Sequence, residues 1–389
     1  MKNVFTVYLK KTSPLDSGAH AVLYLPATPY EVLDAQDRLR LGENSSMVWE
    51  ITEYPQFEEL EPFIDGNGSF YELNALAQKL SELDETQGAI FAGLVKMENA
   101  KGPIPLPRLI ELAHSTKCCH ILTDALNDSQ LGRIFAENHN VPGVEHLPKD
   151  VFEMLDFEQI GRNTRLSEKG VFVARSMDHP GGYVVQHQPL LEVSKTLDLT
   201  PKTPDYTMLL EVSDGYSSAQ LKLPASEQEL AAVHQALDEP DWLDLSWTCL
   251  DCKVPSLIDA VSETRDIRPV NDFAGMLAGM DSTALVIYKA LLEAADCRDL
   301  LHAGLLAGQL PLYIFSPKIS SPAEMAKEEL SVTLCDPEAE TLLPHVNLQS
   351  YGEALIEQCG GRLTGYGLIE RTDGQPIQTP GQKGGMTLG

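Results

Sequence analysis

The second half of the chain repeats the order of apolar and polar patterns in the first half, and this repeat constrains the fold most. LNALAQKLSELDETQGAIFAGLVKM at 73–97 aligns with VNDFAGMLAGMDSTALVIYKALLEA at 270–294, a displacement of 197 residues. The tripeptide Leu-Pro-Ala at 25–27 likewise recurs at 223–225. Solenoid repeats are several-fold shorter than this displacement. The sequence therefore predicts a tandem duplication of one long unit.

Each copy is predicted to begin with a β-hairpin that helices follow. Residues 3–9 and 19–25 alternate or run apolar with β-forming residues, and the pattern returns at 205–213 and 218–226. Apolar residues at helical spacing come after both hairpins. The expected fold class is α+β, an elongated tandem repeat of units that each contain small antiparallel sheets and packed helices.

The repeat also gives the predicted domain boundaries. The first copy is expected at 1–188, with subdomains near 1–70, 71–105 and 106–188, and the second, diverged copy at 205–372. Residues 189–204 form the predicted linker between the copies. The segment 373–389 is rich in Gly, Pro and Gln and is predicted to be a disordered tail.

The charge balance of the chain is strongly acidic. There are 57 Asp and Glu residues against 29 Lys and Arg residues, which gives a formal net charge of −28. Such a field repels nucleic acid and anionic membranes and attracts basic surfaces. We therefore expect a basic protein surface as the partner, with no nucleic acid and no membrane. Simple solubility, or a salty habitat, is the alternative explanation of the charge.

Three features of the sequence bear on its compartment. No run of about 18 apolar residues occurs, so no membrane span is predicted. The N-terminal MKNVFTVYLKK lacks a long apolar core followed by a small-residue cleavage site, so no signal peptide is predicted. Seven cysteines in a chain of this length favour reduced thiols over a disulfide framework. The expected compartment is the cytoplasm.

Few arrangements in the sequence are typical of catalysis or metal binding. Cys249 and Cys252 form a CxxC motif without a second pair or histidines at zinc-ligand spacing. The loop from Asp65 begins like a calcium site, but Leu76 occupies the twelfth position where a glutamate belongs. GxSxG, P-loop and HExxH motifs are absent. We expect no enzyme, no cofactor and no metal, and keep an enzyme using a carboxylate pair or the CxxC thiols as an alternative.

Carboxylates occupy most polar faces of the elements predicted in the first copy. Duplex DNA carries about two charges per 3.4 Å step, so 28 net charges equal those of roughly 14 base pairs. A folded acidic surface of that charge suits a DNA-binding groove. The candidate positions of this surface are Asp34, Asp37, Glu50, Glu53, Glu58, Glu59, Glu61, Glu72, Glu82, Asp84, Glu85, Asp156 and Glu158.

One stretch, LPKDVFEMLDFEQIGRNTRLSEKG at 147–170, combines an apolar face with displayed carboxylates. Val151, Met154 and Leu155 fall near helical spacing with Phe157, which predicts a short amphipathic helix before an acidic bend and a second helical turn. A weaker version of the stretch returns at 343–361. The candidate interface residues of the better-kept version are Val151, Phe152, Leu155, Phe157, Ile160, Gly161 and Arg162.

The first copy resembles the ArdA antirestriction proteins, which plasmids, conjugative transposons and phages use against type I restriction–modification systems. The resemblance rests on ELNALAQKLSELDE at 72–85, LGRIFAENHNVPGVEHLP at 131–148 and, above all, residues 147–165. GVFVARSMDHPGGYVV at 170–185 resembles the closing strand pair of the family. Together these segments cover most of residues 3–187.

Two positions depart from the family motif. The family has an aromatic-Asp-aromatic-Glu step followed by Gly-Arg-Asp, whereas this chain has Leu-Asp-Phe-Glu at 155–158 and Gly-Arg-Asn at 161–163. Leu155 thus replaces an aromatic residue, and Asn163 replaces an aspartate. Family members are also about one copy long, whereas this chain contains two copies.

The resemblance implies an acidic, dimeric protein whose carboxylates imitate the phosphates of bent duplex DNA. It also implies that the region 151–165 contributes to the dimer interface and to activity. Because two copies are joined here, we expect a homodimer or a pseudo-dimer formed within one chain. The expected function is inhibition of type I restriction–modification enzymes, with the methyltransferase core as partner. The main alternative is an acidic binding or scaffold protein of a mobile element that acts on another DNA-binding protein.

Overall fold

A computed structural model gives the fold and divides the chain into two compact units. It describes residues 2–12, 19–41, 47–64, 66, 68–99, 104–177, 179–193, 197, 199, 203–239, 241–334, 338 and 341–379. Unit 1 comprises Met1–Tyr8, Tyr24–Ala27 and Trp49–Pro201. Unit 2 comprises Leu9–Leu23, Thr28–Val48 and Lys202–Gly389.

Helices and short strands alternate along the first half of the sequence. The strands are β1 (Phe5–Lys11), β2 (His20–Leu25), β3 (Met47–Glu53), β4 (Cys119–Leu122), β5 (Val171–Val173) and β6 (Gly182–Gln186). The α-helices are α1 (Pro29–Arg38), α2 (Phe70–Ser81), α3 (Glu85–Asn99), α4 (Leu106–His114), α5 (Asp128–Glu137), α6 (Lys149–Phe152) and α7 (Phe157–Glu168). Single 3₁₀ turns lie at Glu58–Leu60, Thr116–Cys118 and Val144–His146.

The second half of the sequence contains the same kinds of element. Its strands are β7 (Met208–Ser213), β8 (Ser218–Leu223), β9 (Ser246–Cys252), β10 (Tyr313–Ser316), β11 (Arg362–Thr364) and β12 (Gly367–Arg371). Its α-helices are α8 (Glu227–Leu237), α9 (Ile258–Glu263), α10 (Ile267–Ala278), α11 (Ser282–Ala294), α12 (Leu300–Ala307), α13 (Pro322–Thr333) and α14 (Leu348–Gln358). Its 3₁₀ turns lie at Trp242–Asp244, Pro255–Leu257, Leu310–Leu312 and Leu343–His345.

The described residues form four antiparallel sheets of three strands each. The strand orders are β2-β1-β3 and β4-β6-β5 in the first half of the sequence, and β8-β7-β9 and β10-β12-β11 in the second. The central strand is therefore the first in sequence in one sheet type and the last in sequence in the other, and both halves contain one sheet of each type. The predicted α+β class with small antiparallel sheets is confirmed.

The same polar contact fixes a strand end to a helix in each half. In unit 1, the side chain of Asn74 accepts a hydrogen bond from the Ala27 amide (2.8 Å) and donates one to the Ala27 carbonyl (3.0 Å). In unit 2, Asn271 forms the equivalent pair with Ala225 at 2.7 and 3.0 Å. An asparagine amide has one donor side and one acceptor side, so it satisfies both backbone groups at once.

Helices α5 and α7 of unit 1 cross in close contact because both have glycine at the crossing point. A Cβ atom on Gly161 would overlap the Asp128 carbonyl oxygen, and one on Gly132 would overlap the Phe157 carbonyl oxygen. Beside the crossing, the Arg165 guanidinium donates to both carboxylate oxygens of Asp128 at 2.8 and 2.9 Å. In unit 2, Gly352 of α14 lies equally close to the backbone of Pro322 in α13.

Two predicted boundaries differ from the structure. Residues 9–23 and 28–48, which the sequence placed in a first domain at 1–188, belong to unit 2. The predicted disordered tail begins too early, because Ile377 is buried in the apolar core of unit 2. The turn before it is fixed by Arg371, which donates to both carboxylate oxygens of Asp373 at 2.9 and 2.7 Å. Residues 380–389 of that predicted tail lie outside the described residues.

The helix crossing in unit 1 gives a direct test. Gly161→Ala is expected to force α5 and α7 apart and to destabilise this helix pair by about 3 kcal/mol, since a core without room for an added methyl must shift its backbone. Hydrogen exchange by mass spectrometry should show faster exchange of the α5 and α7 amides. Gly88→Ala in α3 is the control, because its added Cβ would meet its nearest neighbour at an ordinary 3.6 Å. Equal exchange in both variants would contradict the crossing.

Candidate acidic interaction surface

Nine of the thirteen predicted acidic positions have exposed side chains, and all nine belong to unit 1. They lie on strand β3, on the turn that follows it, at the junction of α2 and α3, and at the start of α7. The nine exposed residues are Glu50, Glu53, Glu58, Glu61, Glu82, Asp84, Glu85, Asp156 and Glu158.

Glu58, Glu61 and Glu85 are exposed and form neither an ion pair nor a side-chain hydrogen bond within the described part of the chain. Glu58 begins one 3₁₀ turn, Glu61 follows its end, and Glu85 lies in the first turn of α3. Other exposed members of the set are paired: Glu82 with Lys79 at 3.1 Å, and Glu158 with Arg162 at 2.7 Å. Exposed pairs of this kind stay hydrated and contribute about 0–1 kcal/mol to stability.

Several of the predicted acidic residues lie at the starts of helices. Asp156 accepts a hydrogen bond from the Gln159 amide at 2.9 Å and caps α7, and Asp84 accepts one from Gln87 at 2.8 Å at the start of α3. Glu72, which is half-buried, closes a capping box with Ser69 at the start of α2. A carboxylate at this place satisfies a free amide and opposes the positive end of the helix dipole. These negative charges therefore have a structural role as well.

Glu59 is half-buried and forms a hydrogen bond with a buried histidine. The Nε2 atom of His179 lies 3.0 Å from the Glu59 carboxylate, and its Nδ1 atom lies 3.2 Å from the Pro180 carbonyl oxygen. Both neighbours are acceptors, so a neutral imidazole can donate to one of them and a protonated imidazole to both. Burial tends to raise the pKa of Glu59, but the hydrogen bond from His179 outweighs it and the pKa lies below its usual value.

Asp34 is buried, so its prediction as a surface residue was wrong, and Asp37 is half-buried in the same ion-pair cluster. Asp34 is 8% exposed, and its Oδ1 lies 2.9 Å from the Nζ of Lys289 in α11. The carboxylate of Asp37 lies 2.8 Å from the same nitrogen. The Lys289 side chain is 2% exposed, so its charge requires these two carboxylates. All three residues belong to unit 2.

The ion-pair cluster around Lys289 continues to the neighbouring strand pair. Arg38 lies 3.0 Å from both Asp34 and Glu293, and its guanidinium stacks over the Tyr366 ring at 4.4 Å. The Tyr366 hydroxyl donates to Asp34 at 2.7 Å. We call Asp34, Asp37, Arg38, Lys289, Glu293 and Tyr366 the Lys289 cluster.

The pKa values of the two aspartates in the Lys289 cluster are shifted in opposite directions. Burial tends to raise the pKa of Asp34, but attraction to Lys289 and Arg38 and hydrogen bonds outweigh it, so the pKa lies below its usual value. For Asp37, burial outweighs the attraction of Lys289, and the charge of Asp34 adds to it, so the pKa lies above its usual value. The cluster therefore keeps Asp34 ionised as the principal partner of Lys289.

The opposite end of α1 is also held inside unit 2. Asp251 of β9 is 2% exposed and accepts hydrogen bonds from the side chain of Thr28 and the backbone of Tyr30 at the start of the helix. Its carboxylate also accepts from the Tyr206 hydroxyl at 2.9 Å. Burial raises the pKa of Asp251 above its usual value despite these bonds. Tyr30 in turn donates to the Tyr206 carbonyl.

A sequence signal for the Lys289 cluster existed and was missed. Lys289 is a single cation within the apolar run ALVIYKALLEA of α11, and such a cation must find carboxylates when the helix is buried. On α1, Tyr30, Asp34 and Arg38 repeat every four residues and so share one face. The sequence predicts Asp34 and Asp37 on an outward face of this helix, whereas the structure pairs both with Lys289.

The predicted interface motif is only partly available on the surface. Val151 is 44% exposed and Met154 is 82% exposed, whereas Leu155, Phe157 and Ile160 are half-buried. Gly161 is buried at the α5–α7 crossing, so it serves packing inside unit 1.

The remaining members of the motif form local contacts. Phe152 is half-buried, and its ring packs against Phe157 at 5.5 Å, while Arg162 is exposed and pairs with Glu158. Val151 and Met154 therefore form an exposed apolar strip at α6, and this strip belongs to unit 1, as do the nine exposed carboxylates.

The CxxC motif lacks the properties of a reactive thiol pair. Cys249 and Cys252 are buried and free, and the pKa of Cys252 is raised by its hydrogen bond with Cys249 and by burial. A protonated, inaccessible thiol is a poor nucleophile and a poor metal ligand. Across the described ranges, no group of three or more His, Cys, Asp or Glu side chains is arranged to hold a metal ion. Within those ranges there is also no helix long and apolar enough to cross a membrane.

Comparison of the sequence with models of protein families and with curated proteins finds no match.

The Lys289 cluster gives a test of how α1 is held. Lys289→Met is expected to destabilise unit 2 by about 3–5 kcal/mol, because it removes the cation that pairs with the buried Asp34 and the half-buried Asp37. Denaturant unfolding should be followed by fluorescence in a Trp49→Phe background, where the remaining Trp242 and Trp247 both report on unit 2. Lys222→Met is the matched control, since Lys222 and its partner Asp205 are exposed.

The control variant Lys222→Met is expected to change the free energy of unfolding by about 0–1 kcal/mol, because it removes an exposed ion pair. An unfolding midpoint for Lys289→Met equal to that of Lys222→Met would contradict the structural role of the cluster.

Proposed function

We propose that this protein is a DNA mimic of the ArdA type that inhibits type I restriction–modification enzymes by occupying the DNA-binding groove of the methyltransferase core. The observation that carries the proposal is the set of nine exposed carboxylates in unit 1, within a chain whose net charge is −28. The resemblance of residues 147–165 to the ArdA motif supports the same function. The protein would act in the cytoplasm, where these enzymes meet incoming DNA.

The physical basis of the proposal is competition for a basic groove. A groove that binds duplex DNA carries Lys and Arg side chains placed to meet phosphates, so exposed carboxylates can compete with DNA for these side chains. Glu58, Glu61 and Glu85 suit this role because they are exposed and form no ion pair with any residue that the structure describes. Long-range attraction to the net negative charge accelerates association and makes its rate depend on salt.

We further infer that the chain is a tandem duplication in which the two halves diverged. Equal strand orders, the contacts of Asn74 and Asn271, and the close glycine crossings at Gly161 and Gly352 support this history. The second half is less like the family motif, since Asn347 takes the place of the capping Asp156 and Gln349 that of Glu158. We therefore assign the mimicking surface to unit 1.

The first experiment measures restriction in cells. Bacteria with a type I system should plate unmodified phage much more efficiently when they express this protein, and modified phage equally with or without it. Undiminished restriction of unmodified phage, with the protein detected by immunoblot, would exclude the function. An interaction with another DNA-binding protein but not with the methyltransferase core would favour the scaffold alternative.

A charge-matched pair of variants locates the surface. The triple variant Glu58→Gln, Glu61→Gln, Glu85→Gln is expected to weaken binding to the methyltransferase core. It should also make binding less dependent on salt, since each removed carboxylate takes away one exposed charge whose attraction salt screens. The control Glu227→Gln, Asp238→Asn, Asp259→Asn removes the same charge from exposed positions of unit 2. Equal losses in both variants would show that only the total charge matters.

A further inference from the structure

An open apolar groove lies on unit 2, separate from the residues assigned to mimicry. Its volume is about 680 Å³, and it runs between the ends of α9, α10 and α12. The floor is apolar and includes Phe273 and Met276 of α10. Phe273 is 6% exposed and belongs to the core of the unit, so the floor is fixed by packing.

Two leucines of α12 form an apolar ridge along this groove. Leu301 and Leu305 are spaced four residues apart, so their side chains follow one face of the helix. Leu301 is 77% exposed and Leu305 is 62% exposed. A small ligand on the floor would leave most of both side chains in water. A helix laid beside α12 would cover both leucines and fill the groove with its own apolar side chains.

The rim of the groove is acidic. Glu263, Asp272 and Asp299 line it with exposed side chains. Arg298 also lines it, but this guanidinium lies 3.2 Å from the carboxylate of Asp296. A second copy of the chain would bring another net charge of −28 to this rim, which disfavours self-association. The occupant with complementary charge is basic.

We propose that this groove binds an amphipathic helix of a partner protein, with Leu, Ile, Met or Phe on one face and Lys or Arg on its flanks. The apolar face contacts Phe273, Met276, Leu301 and Leu305, and the basic flanks meet the carboxylates of the rim. Helix-in-groove recognition of this kind reads anchors at i, i+3 or i+4, and i+7. The groove is independent of the function proposed for unit 1, and either assignment can fail without the other.

The experiment uses the full chain and two labelled peptides of identical composition. One peptide of Leu, Ala and Lys places its leucines at helical spacing, and the other has the same residues in scrambled order. Binding is measured by fluorescence anisotropy at physiological ionic strength, because salt at this concentration weakens binding that depends on exposed charge alone. The amphipathic peptide is expected to bind at least about tenfold more tightly than the scrambled one.

Three variants connect that difference to the groove. Leu301→Ser with Leu305→Ser should reduce binding of the amphipathic peptide to the level of the scrambled peptide. Val332→Ser should leave it unchanged, because Val332 is 78% exposed on α13 and does not line the groove. Glu263→Gln with Asp272→Asn should weaken binding of the amphipathic peptide.

All these side chains are exposed, so circular dichroism should give the same helix content for every variant. Equal binding of the two peptides, or full binding by the double leucine variant, would overturn the proposal.

Discussion

The buried ammonium group of Lys289 determines where the first helix of the chain belongs. Its partner Asp37 lies 252 residues away in the sequence, and Asp34 on the same helix completes the pairing. A buried cation without carboxylates would be very unfavourable, and so would the two carboxylates without the cation. Because both needs are met in unit 2, α1 packs there against β9, although the sequence predicts it in a first copy. A contact between distant parts of the sequence thus holds α1 in unit 2.

This arrangement separates the acidic residues of the chain by role. Asp34 and Asp37 pair with the buried Lys289. Glu59 forms a hydrogen bond with the buried His179, and Asp251 accepts hydrogen bonds at the start of α1, so these carboxylates make their contacts inside the protein. Of the nine exposed carboxylates on unit 1, some cap helices, form surface pairs or accept single hydrogen bonds, whereas Glu58, Glu61 and Glu85 do none of these. A partner surface can meet only this second class, and the proposal of DNA mimicry depends on it. Net charge alone, which counts both classes, overstates the surface available for binding.

Local sequence patterns predicted the elements well and the long-range contacts poorly. Helices α2, α3, α10 and α11 follow from apolar residues at helical spacing, and their alignment also paired Asn74 with Asn271. The position of α1 could not follow from its own pattern, because charge on one face of a helix is typical of solvent exposure. Ile377 shows the same limit, since one apolar residue in a Gly- and Pro-rich tail gives no periodicity, yet it is buried in the core. The candidate surface was predicted in outline, and the contacts of Asp34 and Asp37 with Lys289 required the fold.

The most direct measurement of the central claim is competition for the purified methyltransferase core of a type I enzyme. Labelled duplex that contains the recognition sequence is bound to the core, and this protein is added at increasing concentration while anisotropy is recorded. The account predicts that the duplex is displaced completely near one equivalent at low salt, and that displacement weakens steeply as salt rises. Retention of the duplex at a large excess of protein, or a ternary complex of core, duplex and protein, would contradict it.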